Sequence, residues 1–229
     1  MEKDKSLPKG VKAALIDMDG VLYDSMPFHA RSWHELFKSL GVENSNPNEY
    51  YLYEGMRGND TIGLILKREL GLDTTEEERD EIYSRKAELF RSCGEAEPMP
   101  GAADMLSALK EKGILTVLVT GSGQKNLLSN IQRDYPGYFP PERMVTAFDV
   151  KNGKPHPEPY LRGLEKAGVK PEEVIVIENA PLGVRSGKAA GFFTIAVTTG
   201  PIPASEFEKE NADLIFPDMP GFAKWLKNI

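Results

Sequence analysis

The sequence predicts an α/β protein: a doubly wound parallel-sheet core carrying a small all-helical cap. Three observations lead there. Apolar runs such as Ala13-Ala14-Leu15-Ile16 and Val174-Ile175-Val176-Ile177 show no polar alternation, the pattern of strands covered on both faces. Beyond residue 100 such runs alternate with segments of helical period, and that order implies right-handed crossovers into one parallel sheet. Between residues 25 and 95 the period is helical and no strand is found. The expected division is residues 1–24 and 97–229 as the core and residues 25–96 as the helical cap.

In chain order, residues 11–16 read as a buried strand that ends in Asp17-Met18-Asp19-Gly20. Residues 27–41 carry Phe28, Trp33, Leu36, Phe37 and Leu40 at helical spacing, with Pro27 suited to a first turn. The polar stretch 44–48 breaks the pattern, and Tyr50 to Glu54 leads to Gly55-Met56-Arg57-Gly58. Residues 60–70 are helical, and Thr75 with Glu78 has the spacing of a capping box at the head of a helix over 76–92. Pro98-Met99-Pro100-Gly101 is a stiff return to the core. There follow helix 101–112, strand 114–119, helix 124–133, a strand around 144–146, helix 157–167, strand 174–177 and helix 181–190. Strand 193–197, a polar connection, strand 214–216 and a helix near 219–227 complete the chain. Trp33 and Trp225 sit at apolar helical positions and read as core.

A chain of 229 residues can bury a sizeable core. Its net charge of -7 argues against a general affinity for nucleic acid or an anionic membrane surface. The start, Met1-Glu2-Lys3-Asp4-Lys5, has no apolar signal segment, and no apolar run reaches the roughly 20 residues that span a bilayer. A cytoplasmic protein is expected, with a monomer as the default. The single cysteine, Cys93, allows no intrachain disulfide.

Ligands of open parallel sheets bind beyond the carboxyl ends of the strands, near a switch in strand order. On an extended backbone Asp17 and Asp19 point the same way, and two like charges that close need a cation or a proton between them. The next strand ends in Thr120-Gly121-Ser122-Gly123, hydroxyls and glycine-freed amides ahead of a helix, which suit an anion. Lys154 follows on a glycine-led loop, and Glu178-Asn179 ends a further strand with oxygen donors of the kind hard cations prefer. Singly, each has a plain explanation as a turn, a solvated lysine or a helix cap. Jointly, they describe a site for a divalent metal and a phosphoryl group.

Asp17-Met18-Asp19-Gly20-Val21, Thr120, Lys154 and Glu178-Asn179 resemble, in order, the four motifs of the haloacid dehalogenase-like hydrolase superfamily. The helical insert after the first strand is similar to that of the beta-phosphoglucomutase-like subfamily. The resemblance implies a Rossmann-like core and Asp17 as a nucleophile that becomes an aspartyl-phosphate. It makes Asp19 the general acid and base and gives Thr120, Gly121, Ser122 and Lys154 the phosphoryl oxygens. It also implies Mg2+ held by Asp17, the backbone carbonyl of Asp19, and Asn179, with Glu178 as an alternate ligand. In the cap, the same resemblance points to His29 as a contact of Asp19 and to Arg57 and Lys86 as substrate contacts. His34 and His156 are read as structural.

Two departures bear on the substrate. The fourth motif usually reads Glu-Asp, and here it is Glu178-Asn179. The residue before Gly55 is basic in the sugar-phosphate mutases, and here it is Glu54. A carboxylate there repels a second phosphate unless it reaches the metal, and Glu54 as a further ligand over inorganic pyrophosphate follows as an expectation. The leading expectation is a Mg2+-dependent phosphohydrolase acting on a small soluble phosphate. The alternatives are a sugar-phosphate mutase of the beta-phosphoglucomutase type and a non-catalytic phosphometabolite-binding protein.

Overall fold

A computed structural model describes residues 6–123 and 125–229, with only the backbone of 125–128. The charged start at 1–5, and Gln124 at the head of the expected helix 124–133, lie outside the described residues.

The strand that ends in the two carboxylates, β1 (Ala13–Ile16), lies inside a six-stranded parallel sheet. The others are β2 (Leu115–Val119), β3 (Met144–Val145), β4 (Val174–Glu178), β5 (Phe193–Val197) and β6 (Leu214–Phe216), in the order β3-β2-β1-β4-β5-β6. The chain builds outward through β2 and β3, then returns to the other side of β1 for β4, β5 and β6, so strand order reverses beside β1. Ile16 is level with Leu118 on one side and Ile177 on the other. One residue further on, Asp17 is therefore level with Val119 and Glu178.

Alternate residues of each strand feed two apolar layers, as the period of two demands. Ala14, Ile16, Leu118, Ile175 and Ile177 face α4 (Ala102–Glu111) and α9 (Met219–Asn228) through Met105, Leu109, Phe222 and Leu226. Ala13, Leu15, Val117, Val119, Val174 and Val176 face the opposite way, where α6 (Glu158–Ala167) supplies Tyr160. Two further core helices are α5 (Lys125–Asp134) and α7 (Pro181–Ala189).

Between β1 and β2 lie three helices, α1 (Met26–Ser39), α2 (Gly58–Leu70) and α3 (Glu76–Ser92). They close around a core of their own built from Trp33, Leu36, Phe37, Tyr50, Ile62, Ile65 and Leu66, with Trp33 stacked on Phe37 at 5.4 Å. Thr75 and Glu78 form the expected capping box. The two connections to the sheet run side by side, Asp24 N–H donating to Glu97 O at 2.9 Å and Met99 N–H to Leu22 O at 2.8 Å.

Two segments differ from the sequence reading. Pro47–Tyr53 is a 3-10 turn capped by the Asn46 side chain, since Pro47 fixes the first dihedral and Tyr50 is pulled into the core of the insert. The polar connection after β5 contains a short helix, α8 (Ala204–Lys209), whose one buried apolar residue, Phe207, leaves no readable period. Among the described residues no helix is long and apolar enough to cross a membrane.

Candidate active site

The turn after β1 is tight. Gly20 has φ of 82°, the left-handed region that costs a side-chain residue energy, and a Cβ there would lie 1.9 Å from Asn179 Nδ2. This close approach brings the ends of β1 and β4 together. Asp17 and Asp19 are both buried, as are Thr120, Ser122, Lys154, Glu178 and Asn179.

Lys154 ties three strand ends together. Its ammonium donates to Asp17 Oδ1 at 2.5 Å, Glu178 Oε1 at 2.6 Å and Val119 O at 3.2 Å. Burial would lower this ammonium, but the charges of Asp17 and Glu178 hold it well above its ordinary value. One cation cannot neutralise two carboxylates, and the deficit falls on Asp17. Burial raises the Asp17 carboxyl, Lys154 pulls it back, and the like charges of Glu178 and Asp19 push it up again.

Glu178 is saturated. Oε1 accepts from Lys154 and from the Tyr160 hydroxyl at 2.7 Å, while Oε2 accepts from the amides of Asn179 at 2.9 Å and Ala180 at 3.2 Å. Both carboxylate oxygens of Glu178, expected as an alternate metal ligand, are thus engaged by groups of the protein itself. Among the described residues, two buried side-chain oxygens have no hydrogen-bond partner: Asp17 Oδ2 and Asn179 Oδ1. An orphaned buried acceptor costs about 1–3 kcal/mol, and a pair of them beside an uncompensated carboxylate is the donor chemistry a hard divalent cation satisfies. No three His, Cys, Asp or Glu among the described residues are grouped to hold a metal on their own. The fit rests on this pair.

Asp19 turns toward the cap. Its Oδ1 accepts from Ser25 Oγ at 2.5 Å and from His29 Nε2 at 3.2 Å, while His29 Nδ1 lies 2.7 Å from Lys86 Nζ. With the lysine donating to Nδ1, the ring proton sits on Nε2 and is given to Asp19. Burial pulls the Asp19 carboxyl up, but His29, Ser25 and Lys86 outweigh it and leave it lowered. Burial pushes Lys86 down to about 8 against the opposing pull of Glu54, Asp19 and Cys93. Glu54 shares the cavity wall with His29 and Lys86; burial raises its carboxyl and His29 counters. Its repulsion from Asp19 is met on the cap side by the Lys86 ammonium. The expected contact of His29 with Asp19 is present, and Lys86, expected as a substrate contact, is buried against His29.

The loop 54–58 is seated on the core. A Cβ on Gly55 would lie 2.6 Å from Lys154 Cδ, and one on Gly121 would lie 2.9 Å from Gly55 O. Arg57 donates to Lys151 O at 2.8 Å and lies 3.6 Å from Glu76, so it bridges loop to loop. Thr120 Oγ1 accepts from Ser122 N–H at 3.0 Å, which shapes the 120–123 loop beneath. The cavity enclosed between Glu54, His29, Lys86, Gly121 and Ser122 is small, about 30 Å³. That volume holds about one water.

Two residues here escaped the sequence reading. Ser25 is the residue at the head of α1, and its only signal was that of a helix start. Tyr160 sits at an apolar position of α6, and its hydroxyl reaches Glu178 across 18 residues of chain.

Comparison with known proteins returns one family model, described as haloacid dehalogenase-like hydrolase, over residues 11–191. The chain is 32% identical over 205 residues to hexitol phosphatase A of Escherichia coli, covering 89% of each. It is 34% identical over 182 residues to a phosphorylated carbohydrates phosphatase of Thermotoga maritima, covering 79% of this chain and 82% of the other. A solved structure from Bacteroides vulgatus, named provisionally as a beta-phosphoglucomutase, is 52% identical and superposes with a TM-score of 0.89 over 95% of this chain and 89% of its own.

Proposed function

Because the chain belongs to the haloacid dehalogenase-like hydrolase family, we propose that it is a Mg2+-dependent phosphatase of a small sugar or polyol phosphate, acting through an aspartyl-phosphate on Asp17. The observation that carries the reading is the junction at β1: Asp17 held by Lys154, its second oxygen orphaned beside that of Asn179, and Asp19 oriented by His29 and Ser25. Residues 25–96 serve as the cap that closes over this junction.

Asp17 and Asn179, with the backbone carbonyl of Asp19, would hold the cation, which when bound offsets carboxylate and phosphate charge. The remaining work falls to the chain itself. A carboxylate oxygen of Asp17 attacks phosphorus as the ester oxygen leaves, and Asp19 gives that oxygen its proton. Ser25 and His29 fix Asp19 through Oδ1, so its proton handling is left to the other oxygen. Asp19 then takes a proton from the water that attacks phosphorus, the bond to Asp17 breaks, and phosphate departs. Lys154, Thr120 and the amides of the 121–122 loop steady the transferring oxygens, the positioning and charge stabilisation on which phosphoryl transfer depends.

The names of the two phosphatase relatives favour a sugar or polyol phosphate over inorganic pyrophosphate. Phosphate release from hexitol phosphates, glucose 6-phosphate, acetyl phosphate and pyrophosphate, each with Mg2+, tests the reading. Release from the polyhydroxy esters at the highest kcat/KM is expected. Pyrophosphate as the preferred substrate would overturn the substrate class, and an Asp17→Asn variant as active as the wild type would overturn the covalent route. The mutase reading draws on the name of the 52% identical structure. Conversion of beta-glucose 1-phosphate to glucose 6-phosphate without matching free phosphate would establish it instead.

A further inference from the structure

The inner cavity of about 30 Å³ is too small for an organic phosphate. Directly outside it lies a cleft of about 220 Å³, and Gly58, Tyr83 and Gly121 line both. The cleft therefore adjoins the inner cavity along the seam between cap and core. One wall is cap, with Asn59, Asp80 and Tyr83; the other is core, with Gly123 and Phe148.

Phe148 is the most exposed of the large apolar side chains among the described residues, at 71%. Its exposure is fixed by the turn that carries it. Asp149 Oδ2 accepts from both the amide and the hydroxyl of Thr146 at 2.8 Å, and Asp149 N–H returns to Thr146 O at 3.0 Å. The ring lies over a glycine, since a Cβ at Gly123 would sit 3.2 Å from Phe148 Cζ. Tyr83 does the same on the cap side, where a Cβ at Gly58 would sit 2.1 Å from the ring. Two glycines thus let two aromatic rings, one on each wall, lie close against backbone. Asn59 Nδ2 donates to Asp80 Oδ1 at 2.6 Å, so an amide and a carboxylate stand together on the same cleft.

We propose that this cleft is the subsite for the polyhydroxy leaving group of the phosphate ester, with Phe148 as a specificity-determining residue; the proposal rests on the sugar or polyol phosphate reading above. Aromatic faces pack against the C–H faces of a carbon chain bearing hydroxyls, and a coupled amide and carboxylate accept and donate to its hydroxyl groups. The phosphoryl end then reaches Asp17 while the organic end stays in the cleft. A substrate without a carbon chain, such as pyrophosphate, gains nothing from Phe148.

The test is the ratio of kcat/KM for a hexitol phosphate to that for acetyl phosphate, measured for the wild type, Phe148→Ala, Phe148→Trp and Asn59→Ala. The wild type is expected to favour the hexitol phosphate. Phe148→Ala is expected to lower the ratio about tenfold, chiefly through KM, with Phe148→Trp recovering most of it and Asn59→Ala lowering it further. An unchanged ratio in Phe148→Ala overturns the subsite and leaves the phosphatase reading standing. A wild type with no preference for the hexitol phosphate overturns the substrate reading and the subsite together.

Discussion

Glu178 Oε1 accepts from the Lys154 ammonium at 2.6 Å. Its other oxygen is spent on the first amides leading into α7, so the free acceptor at the end of β4 belongs to Asn179. The division predicts opposite signatures for neighbouring residues. Asn179→Ala should raise the Mg2+ concentration for half-saturation by about 10–100-fold, and Asn179→Asp should lower it by restoring a charge. Glu178→Gln should lower kcat by about 100-fold, because Lys154 loses a counter-ion, with a smaller shift in Mg2+ dependence than Asn179→Ala. Activity titrated against Mg2+ for the three variants decides it; a larger Mg2+ shift in Glu178→Gln would make Glu178 the ligand.

The junction was legible from sequence because it is made of strand ends. Asp17, Thr120, Lys154 and Glu178 each follow a recognisable strand or glycine-led loop, and the reversal of strand order beside β1 forces those ends together. The membership in the family, the doubly wound sheet and the helical insert followed from the same motifs and periods. What was illegible depends on chain-distant packing. Lys86 meets His29 across 57 residues and Tyr160 meets Glu178 through a helix whose period marks Tyr160 only as apolar. The role of Arg57 was likewise hidden: its partner is a backbone carbonyl, Lys151 O, 94 residues away.

Gly183 offers a probe in which two rules conflict. It lies within α7, where alanine is the better helix former by about 1 kcal/mol. Yet a Cβ at this position would stand 1.8 Å from Glu178 Oε1, the oxygen shared by Lys154 and Tyr160. Gly183→Ala is expected to destabilise the protein by about 1–3 kcal/mol and to cut activity sharply. Denaturant unfolding and phosphate release, measured together, check it; a more stable and fully active variant would mean that Glu178 is free to move.

Lys86 predicts a pH dependence of stability. Its folded value is pushed down to about 8, below the ordinary 10.5 of the unfolded chain. Between these values the unfolded chain binds more protons than the folded one, so this group makes the fold more stable as pH rises through that window. The rise from Lys86 is at most about 3 kcal/mol. The groups that face it are His29 from α1, Asp19 from the turn after β1, Glu54 from the cap loop and Cys93 at the end of α3. Lys86→Met should lose this increment, and the difference in unfolding free energy between wild type and variant should change by that amount from pH 8 to 10.5. A constant difference across the window would show that Lys86 is not held down by burial.

Arg57 separates the two readings of the cap. Its guanidinium is engaged by Lys151 O at 2.8 Å and lies 3.6 Å from Glu76, an arrangement that fastens the cap loop to the core loop ahead of Lys154. A fastening acts on closure, and closure serves every substrate alike. Arg57→Ala should therefore reduce kcat/KM for hexitol phosphate and for a sugar bisphosphate by the same factor, about two- to tenfold, the worth of one exposed hydrogen bond. An arginine gripping a distal phosphate would behave otherwise, because only the bisphosphate has one to grip. Selective loss of the bisphosphate activity would move Arg57 from fastening to substrate binding, and with it would bring the mutase reading forward.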